Sequence, residues 1–208
     1  MDEKPSPDFP PGAFERVDES DDAVFYAPPR LVTHIDEQAI AALESHYGET
    51  LLPGSSILDL MSSWVSHLPD DMEFADVVGH GMNAEELAAN PRLSRWFVQD
   101  LNRDAELALD TESFDAALCC VSVQYLQKPV EVFAEVRRVL KNGSPFIVTY
   151  SNRCFPTKAV AIWRSLDFRS HATLVYHYFE RAGFADIDVR VLANGMNGDP
   201  LVAVTGHA

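Results

Sequence analysis

Ser62 and Ser63 follow directly on the apolar run Ile57-Leu58-Asp59-Leu60-Met61, so two hydroxyls and their backbone N–H groups stand where a buried strand breaks. Such a pattern can receive a carboxylate or phosphate, and serine is equally an ordinary residue at the start of a helix. His67 follows closely, and with His34 and Asp36 it offers groups able to form a general base or a metal cluster. A histidine without an identified carboxylate or metal partner reads more simply as a polar surface or core residue, so neither a catalytic base nor a metal site is assigned. Tyr26, Arg30 and His34 belong to the segment before the strand, which by its position folds over the strand ends as a lid. In an acidic chain Arg30 can hold a carboxylate bidentately, or simply pair with one of the many acids. Tyr125 and Asn152 close two later apolar runs, and polar residues at strand ends are better placed for binding than the same types elsewhere.

The elements that must position these groups are written in the hydrophobic pattern. Ile57 to Leu60 reads as the first strand, with Trp64, Val65 and Leu68 at helical spacing after it. Before it, Thr33-x-x-Asp36 has the shape of a capping box, and Ile35, Ala39, Ile40, Leu43 and Tyr47 recur on one face until Gly48. Phe74 to Gly79 reads as a second strand, Ala84 to Ala89 as a helix stopped at Asn90-Pro91, and Trp96 to Gln99 as a short third strand. Phe114 to Val121 is nearly all apolar, as strands buried on both faces are, and Pro129 opens a helix that Gly143 closes off. Pro145 to Tyr150 is a fifth strand, followed by helical patterns at 157–166 and 174–181. Ile187 to Leu192 and Leu201 to Val204 flank the turn Asn194-Gly195-Met196-Asn197-Gly198, which suggests an antiparallel terminal hairpin. The expected organisation is a disordered arm over 1–22, a lid helix segment over 23–54 and one α/β domain over 55–208.

This order of elements, with Asp59-Leu60, Val98-Gln99-Asp100, Phe114-Asp115 and Arg138-Val139-Leu140-Lys141-Asn142-Gly143, resembles the class I methyltransferases that use S-adenosylmethionine. The resemblance covers about residues 55–205. It implies a doubly wound, Rossmann-like fold: a mostly parallel seven-stranded sheet with the antiparallel hairpin at its end. It also implies S-adenosyl-L-methionine as cofactor, near Asp59, Met61, Ser62 and Ser63 after the first strand, Gly81 and Asn83 after the second, and Asp100, Leu101 and Val121 further on. In the family the acid matching Asp100 accepts from the adenine amino group. Tyr26, Arg30, His34, Tyr125 and Asn152 fall where the acceptor would lie. The sequence departs from the pattern twice: Met61, Ser63 and Val65 stand where the family has glycines, and Gly81 stands where it has the acid that holds the ribose hydroxyls. Asn83 or Glu85 is the expected substitute for that acid. The expected function is methyl transfer to a small-molecule or protein acceptor. The alternative is a catalytically inactive protein of this fold that binds a ligand or a protein partner.

Composition narrows the partners. With 16 Lys and Arg against 32 Asp and Glu, the chain carries a formal net charge of −16, which argues against a nucleic-acid or anionic membrane surface. Cys119, Cys120 and Cys154 are odd in number and support neither a disulfide framework nor a zinc site. No GxGxxG turn or GxSxG elbow is present, which removes the nicotinamide and serine-hydrolase readings. No secretory signal or bilayer-spanning run is legible, so the expectation is a cytoplasmic protein acting on a small molecule.

Overall fold

A computed structural model of the protein describes residues 9–208. Seven strands form one sheet: β1 (Ser56–Leu60), β2 (Asp76–Gly81), β3 (Arg95–Val98), β4 (Ala116–Cys120), β5 (Pro145–Ser151), β6 (Ala185–Ala193) and β7 (Leu201–His207), in the order β3-β2-β1-β4-β5-β7-β6. The five strands from β3 to β5 run parallel, and β7 pairs antiparallel with both β5 and β6, so it alone is reversed. This is the mostly parallel, doubly wound sheet with a terminal hairpin that the resemblance implies. The chain order steps from β1 to β2 and β3 on one side and to β4 and β5 on the other, so the switch point lies between β1 and β4. Ligands of open α/β sheets bind outside the strand ends at such a point.

Successive residues of a strand point to opposite faces, and the two faces have separate cores. Leu58 and Leu60 pack with Phe146, Val148 and Val204 against Phe133, Val136, Val175 and Phe179 of α4 (Pro129–Val139) and α6 (Ser170–Arg181). Ile57, Leu118, Ile147 and Ala203 face the other way, onto Ala39, Leu43 and Tyr47 of α2 (Glu37–Thr50). The expected lid helix is therefore a layer helix, holding its apolar face against the sheet rather than over the strand ends. Its cap is Asp36, whose side chain accepts from Ala39 N at 2.9 Å, not Thr33. Asp36 and Asp199 each accept the other's backbone N–H (2.6 and 3.1 Å), which ties the helix start to the β6–β7 connection. What covers the strand ends is the irregular segment 26–35.

Two further expectations give way. Residues 9–22 do not form a loose arm: Asp18, Ala161 and Ile162 donate backbone bonds that join 13–18 to 157–162, and Phe9 and Phe14 rest on Tyr178. Asp18, Asp21 and Asp22 of this stretch are paired. Asp22 is buried between Arg16 Nη1 (2.6 Å) and the fully buried Lys158 Nζ (3.0 Å) and begins the single turn α1 (Asp22–Phe25). Residues 1–8 of the expected arm lie outside the described ones. The second failure is the helix after β1: residues 61–75 contain none. Helices α3 (Ala84–Ala89) and α4 match their sequence signals, whereas only α5 (Ala161–Ser165) forms within 157–166. No helix among the described residues is long and apolar enough to cross a membrane.

Candidate functional site

At the carboxyl ends of β1, β2 and β4 lies a cavity of about 390 Å³, roofed by 26–35 and by Arg153, Cys154 and Phe155. That size suits a small ligand. Every residue that the sequence singled out for binding lines it except Asn152 and Glu85. Asn152, just past the end of β5, is exposed and accepts from Ser151 Oγ.

The loop after β1 is held by side chains instead of by helical bonds. Asp59 Oδ2 accepts from Ser62 Oγ and Ser66 Oγ, both at 2.6 Å. Asn90 Nδ2 donates to Ser63 O and Ser66 Oγ at 2.9 Å, and Trp64 Nε1 reaches Val32 O at 3.1 Å. Serine hydroxyls that bond locally compete with helix formation, and of Trp64, Val65 and Leu68 only Leu68 is buried, so no apolar face favours a helix. Burial pushes the Asp59 carboxyl up to about 6 against the lowering effect of its two hydroxyl donors.

His80 is the hidden support of this loop. Its Nδ1 accepts from Met61 N (3.1 Å) and its Nε2 faces Gln99 O (3.0 Å), an arrangement that fixes the neutral ring with its proton on Nε2. Burial takes its pKa down to about 4. The loops after β1 and β3 are thus joined through one imidazole 1% exposed. Its sequence signal was a histidine between Gly79 and Gly81 at a strand end, a place where small neighbours leave room for a ring.

Backbone strain marks the same rim. Met61 has φ 55° and Val121 has φ 44°. Left-handed backbone suits glycine and is unusual for a β-branched residue, so Met61 keeps a glycine-like conformation with a side chain attached. Gly81 shows the converse: a Cβ there would stand 2.5 Å from Ser62 O. The ribose acid expected at this place is absent, and no side chain fits. Asn83 is not free to replace it, because its Oδ1 accepts from Glu85 N and Glu86 N while its Nδ2 donates to Tyr26 O and Ala27 O. Glu85 is exposed and does not line the cavity. Glu86 does, although no sequence signal singles it out; it accepts from Ser63 Oγ (2.5 Å) and Arg30 N (2.6 Å).

At the other end, Asp100 Oδ1 accepts from Asn102 N at 2.9 Å, and Arg103 Nε is 3.6 Å from Oδ2. Arg30 donates to Phe25 O at 2.9 Å and lies over the Phe25, Phe155 and Tyr26 rings at 4.7, 5.3 and 5.8 Å. The roof is therefore an aromatic stack around a guanidinium. Tyr125 joins it: its hydroxyl accepts from Phe155 N at 2.8 Å. His34 meets the edge of Phe155, and His67, at φ 53°, is pushed down to about 4 by burial and then by His34. Neither imidazole has a hydrogen bond among the described residues. Both are neutral near pH 7, since burial also lowers His34.

Residues 60–148 match the methyltransferase domain family, a stretch that runs from the last residue of β1 into β5 and contains Met61, Ser62 and Ser63 of the cavity floor. The fold is that of the class I methyltransferases. No curated protein sequence matches the chain. A methyltransferase of Haloferax volcanii solved with the activator Trm112 superposes with TM-score 0.64 at 14% identity, over 83% of this chain and 90% of that one. An S-adenosylmethionine-dependent methyltransferase from Mesorhizobium loti does so with TM-score 0.56 at 18% identity, over 81% and 98%. The [4+2]-cyclase SpnF is as similar: TM-score 0.63, 16% identity, 86% and 88% covered. One methyltransferase fold thus carries different reactions, and function has to be argued from the site.

Proposed function

We propose that this chain is an S-adenosylmethionine-dependent methyltransferase for a small-molecule acceptor. The observation that carries the reading is the cavity itself, built at the strand ends of the segment that matches the methyltransferase domain. The residues suit such a ligand: Ser62 and Ser63 bring polar groups to the floor, Met61, Met82, Leu101 and Val121 bring apolar walls, and Asp100 presents a carboxylate beyond β3. In this reading Asp100 accepts from the adenine amino group, and Tyr26, Arg30, His34 and Tyr125 border the acceptor.

S-adenosylmethionine would supply the electrophilic methyl group. The chain's own contribution is to hold two reactants in line and to keep water out beneath segment 26–35, a source of rate that needs no base. Acidic residues outnumber basic ones two to one, which disfavours a nucleic-acid acceptor.

Calorimetry with S-adenosylmethionine and S-adenosylhomocysteine tests the proposal, with Asp100→Ala as its internal control. Loss of a charged acceptor should weaken binding by about 1.5 to 3 kcal/mol, roughly ten- to hundredfold. No binding by the parent at millimolar ligand would sink the reading. A second reading, binding without catalysis, is favoured by one observation: the loop hydroxyls at Ser62 and Ser63 are already engaged by Asp59 and Glu86. Tight cofactor binding with no methyl loss across a panel of amines, thiols, phenols and carboxylates would support it.

A further inference from the structure

We propose that Glu86 is the acceptor for the vicinal hydroxyls of a nucleoside ligand, taking over at the first turn of α3 the task that Gly81 cannot perform. The inference rests on the cofactor reading above and adds a residue to it. In open α/β sheets a carboxylate at the end of the second strand accepts from ribose hydroxyls, since an ionised carboxylate offers two oxygens with about four acceptor positions. Here β2 ends at Gly81, and Ser62 O lies 2.5 Å from the place of a Cβ, so a side chain is excluded by backbone. The next polar side chain, Asn83, is spent on both its atoms, capping α3 with Oδ1 and holding Tyr26 O and Ala27 O with Nδ2.

Glu86 is the first carboxylate after β2 that lines the cavity. It sits three residues past the cap, where a glutamate commonly folds back onto its own helix start. Instead its Oε2 accepts from Ser63 Oγ and its Oε1 from Arg30 N, which points the carboxylate across the cavity rim between the β1 loop and the roof. Each oxygen has made one bond and retains acceptor capacity. The same contacts make Glu86 a clasp for segment 26–35, so hydroxyl binding and closure of the roof meet at one group.

The experiment compares S-adenosylhomocysteine with its 2′,3′-dideoxy analogue on the parent, Glu86→Gln and Glu85→Gln, with thermal melting of each protein. The parent should prefer the ribo ligand by about tenfold or more, Glu86→Gln should lose most of that preference, and Glu85→Gln, at an exposed carboxylate outside the cavity, should keep it. Equal affinity of the parent for the two ligands overturns the proposal without recourse to any variant. So does a preference undiminished in Glu86→Gln, and a loss of affinity for both ligands in equal proportion would reduce Glu86 to a structural clasp. Failure of the parent to bind either ligand removes the cofactor reading and this one with it, whereas binding with no ribo preference removes this one alone.

Discussion

The loop after β1 and the helix α4 after β4 leave neighbouring central strands at the same end of the sheet, and they are held in opposite ways. Helix α4 satisfies its own backbone and contributes Val132, Phe133, Val136 and Val139, all fully buried, to the core. The β1 loop satisfies itself through Asp59, His80 and Asn90 and buries little beyond Ser66 and Leu68. Hydrophobic burial is non-directional and large, while a network of side-chain bonds is directional and fails piece by piece. The half of the site that carries binding groups is therefore the half whose shape depends on single polar residues.

The largest test of this contrast lies in the helix. Phe133→Ala removes a fully buried ring that meets Phe146 and Phe179 edge-on, and should cost about 3 to 5 kcal/mol by chemical denaturation. Calorimetry on the fraction that remains folded should show unchanged ligand affinity. A large affinity change would mean that α4 shapes the cavity after all.

His80→Ala is next in size. It strands Met61 N–H and Gln99 O beneath the cavity, at a cost of about 2 to 4 kcal/mol. Here affinity should fall together with stability, because Met61 and Gln99 both line the cavity. Stability lost with affinity intact would break the distinction between the two regions.

Much of the fold was legible because its signals are periodic. The apolar runs of β1, β4 and β5, Pro129 opening α4 and the Asn194–Gly198 turn each follow from local pattern, and strand order follows from the resemblance. The missing helix at 61–75 was not legible, since its spacing resembles a helix and what defeats it is Asp59, His80 and Asn90, the last two from other elements. Segment 9–22 was misread because its acids find Arg16 and Lys158, the latter more than a hundred residues away in sequence. In the site, side chains named by position at strand ends line the cavity, Asn152 excepted, whereas Glu86 and His80 depend on partners across loops that no spacing reveals.

The third test is pH. His80 and His67 have folded pKa values near 4, below the ordinary value of 6.5, so the unfolded chain binds more protons between those limits and both residues cost stability as pH falls. Asp59 is raised from 3.8 to about 6, so the folded chain binds more protons there and stability is lost as pH rises through that window. The lowered histidines, with His34, His46 and His171 beside these two, outweigh Asp59 and give a net loss on acidification from pH 6.5 to 4, on the order of 1 to 3 kcal/mol. Asp59→Asn removes the opposing contribution and should steepen that loss in urea titrations. An equal slope in the variant would show that Asp59 is ionised in the folded chain throughout.

The smallest expected effect is at Met61, where two contributions oppose. Its left-handed backbone at φ 55° should cost about 1 kcal/mol relative to glycine, while its half-buried side chain packs against the larger core. Met61→Gly releases the strain and removes that packing, so stability should change by less than about 1 kcal/mol. A glycine substitution in the helix would have no such compensation: Val136→Gly in α4 loses a fully buried side chain and adds a helix-interior glycine, both unfavourable. Affinity gives the sharper reading of Met61→Gly, since its side chain is one of the apolar walls. Tighter binding of S-adenosylhomocysteine by a variant of unchanged melting temperature would mean that the side chain obstructs the floor, as expected if catalysis has been lost. Weaker or unchanged binding would mean that the chain has replaced a glycine loop with a side-chain wall and still uses it.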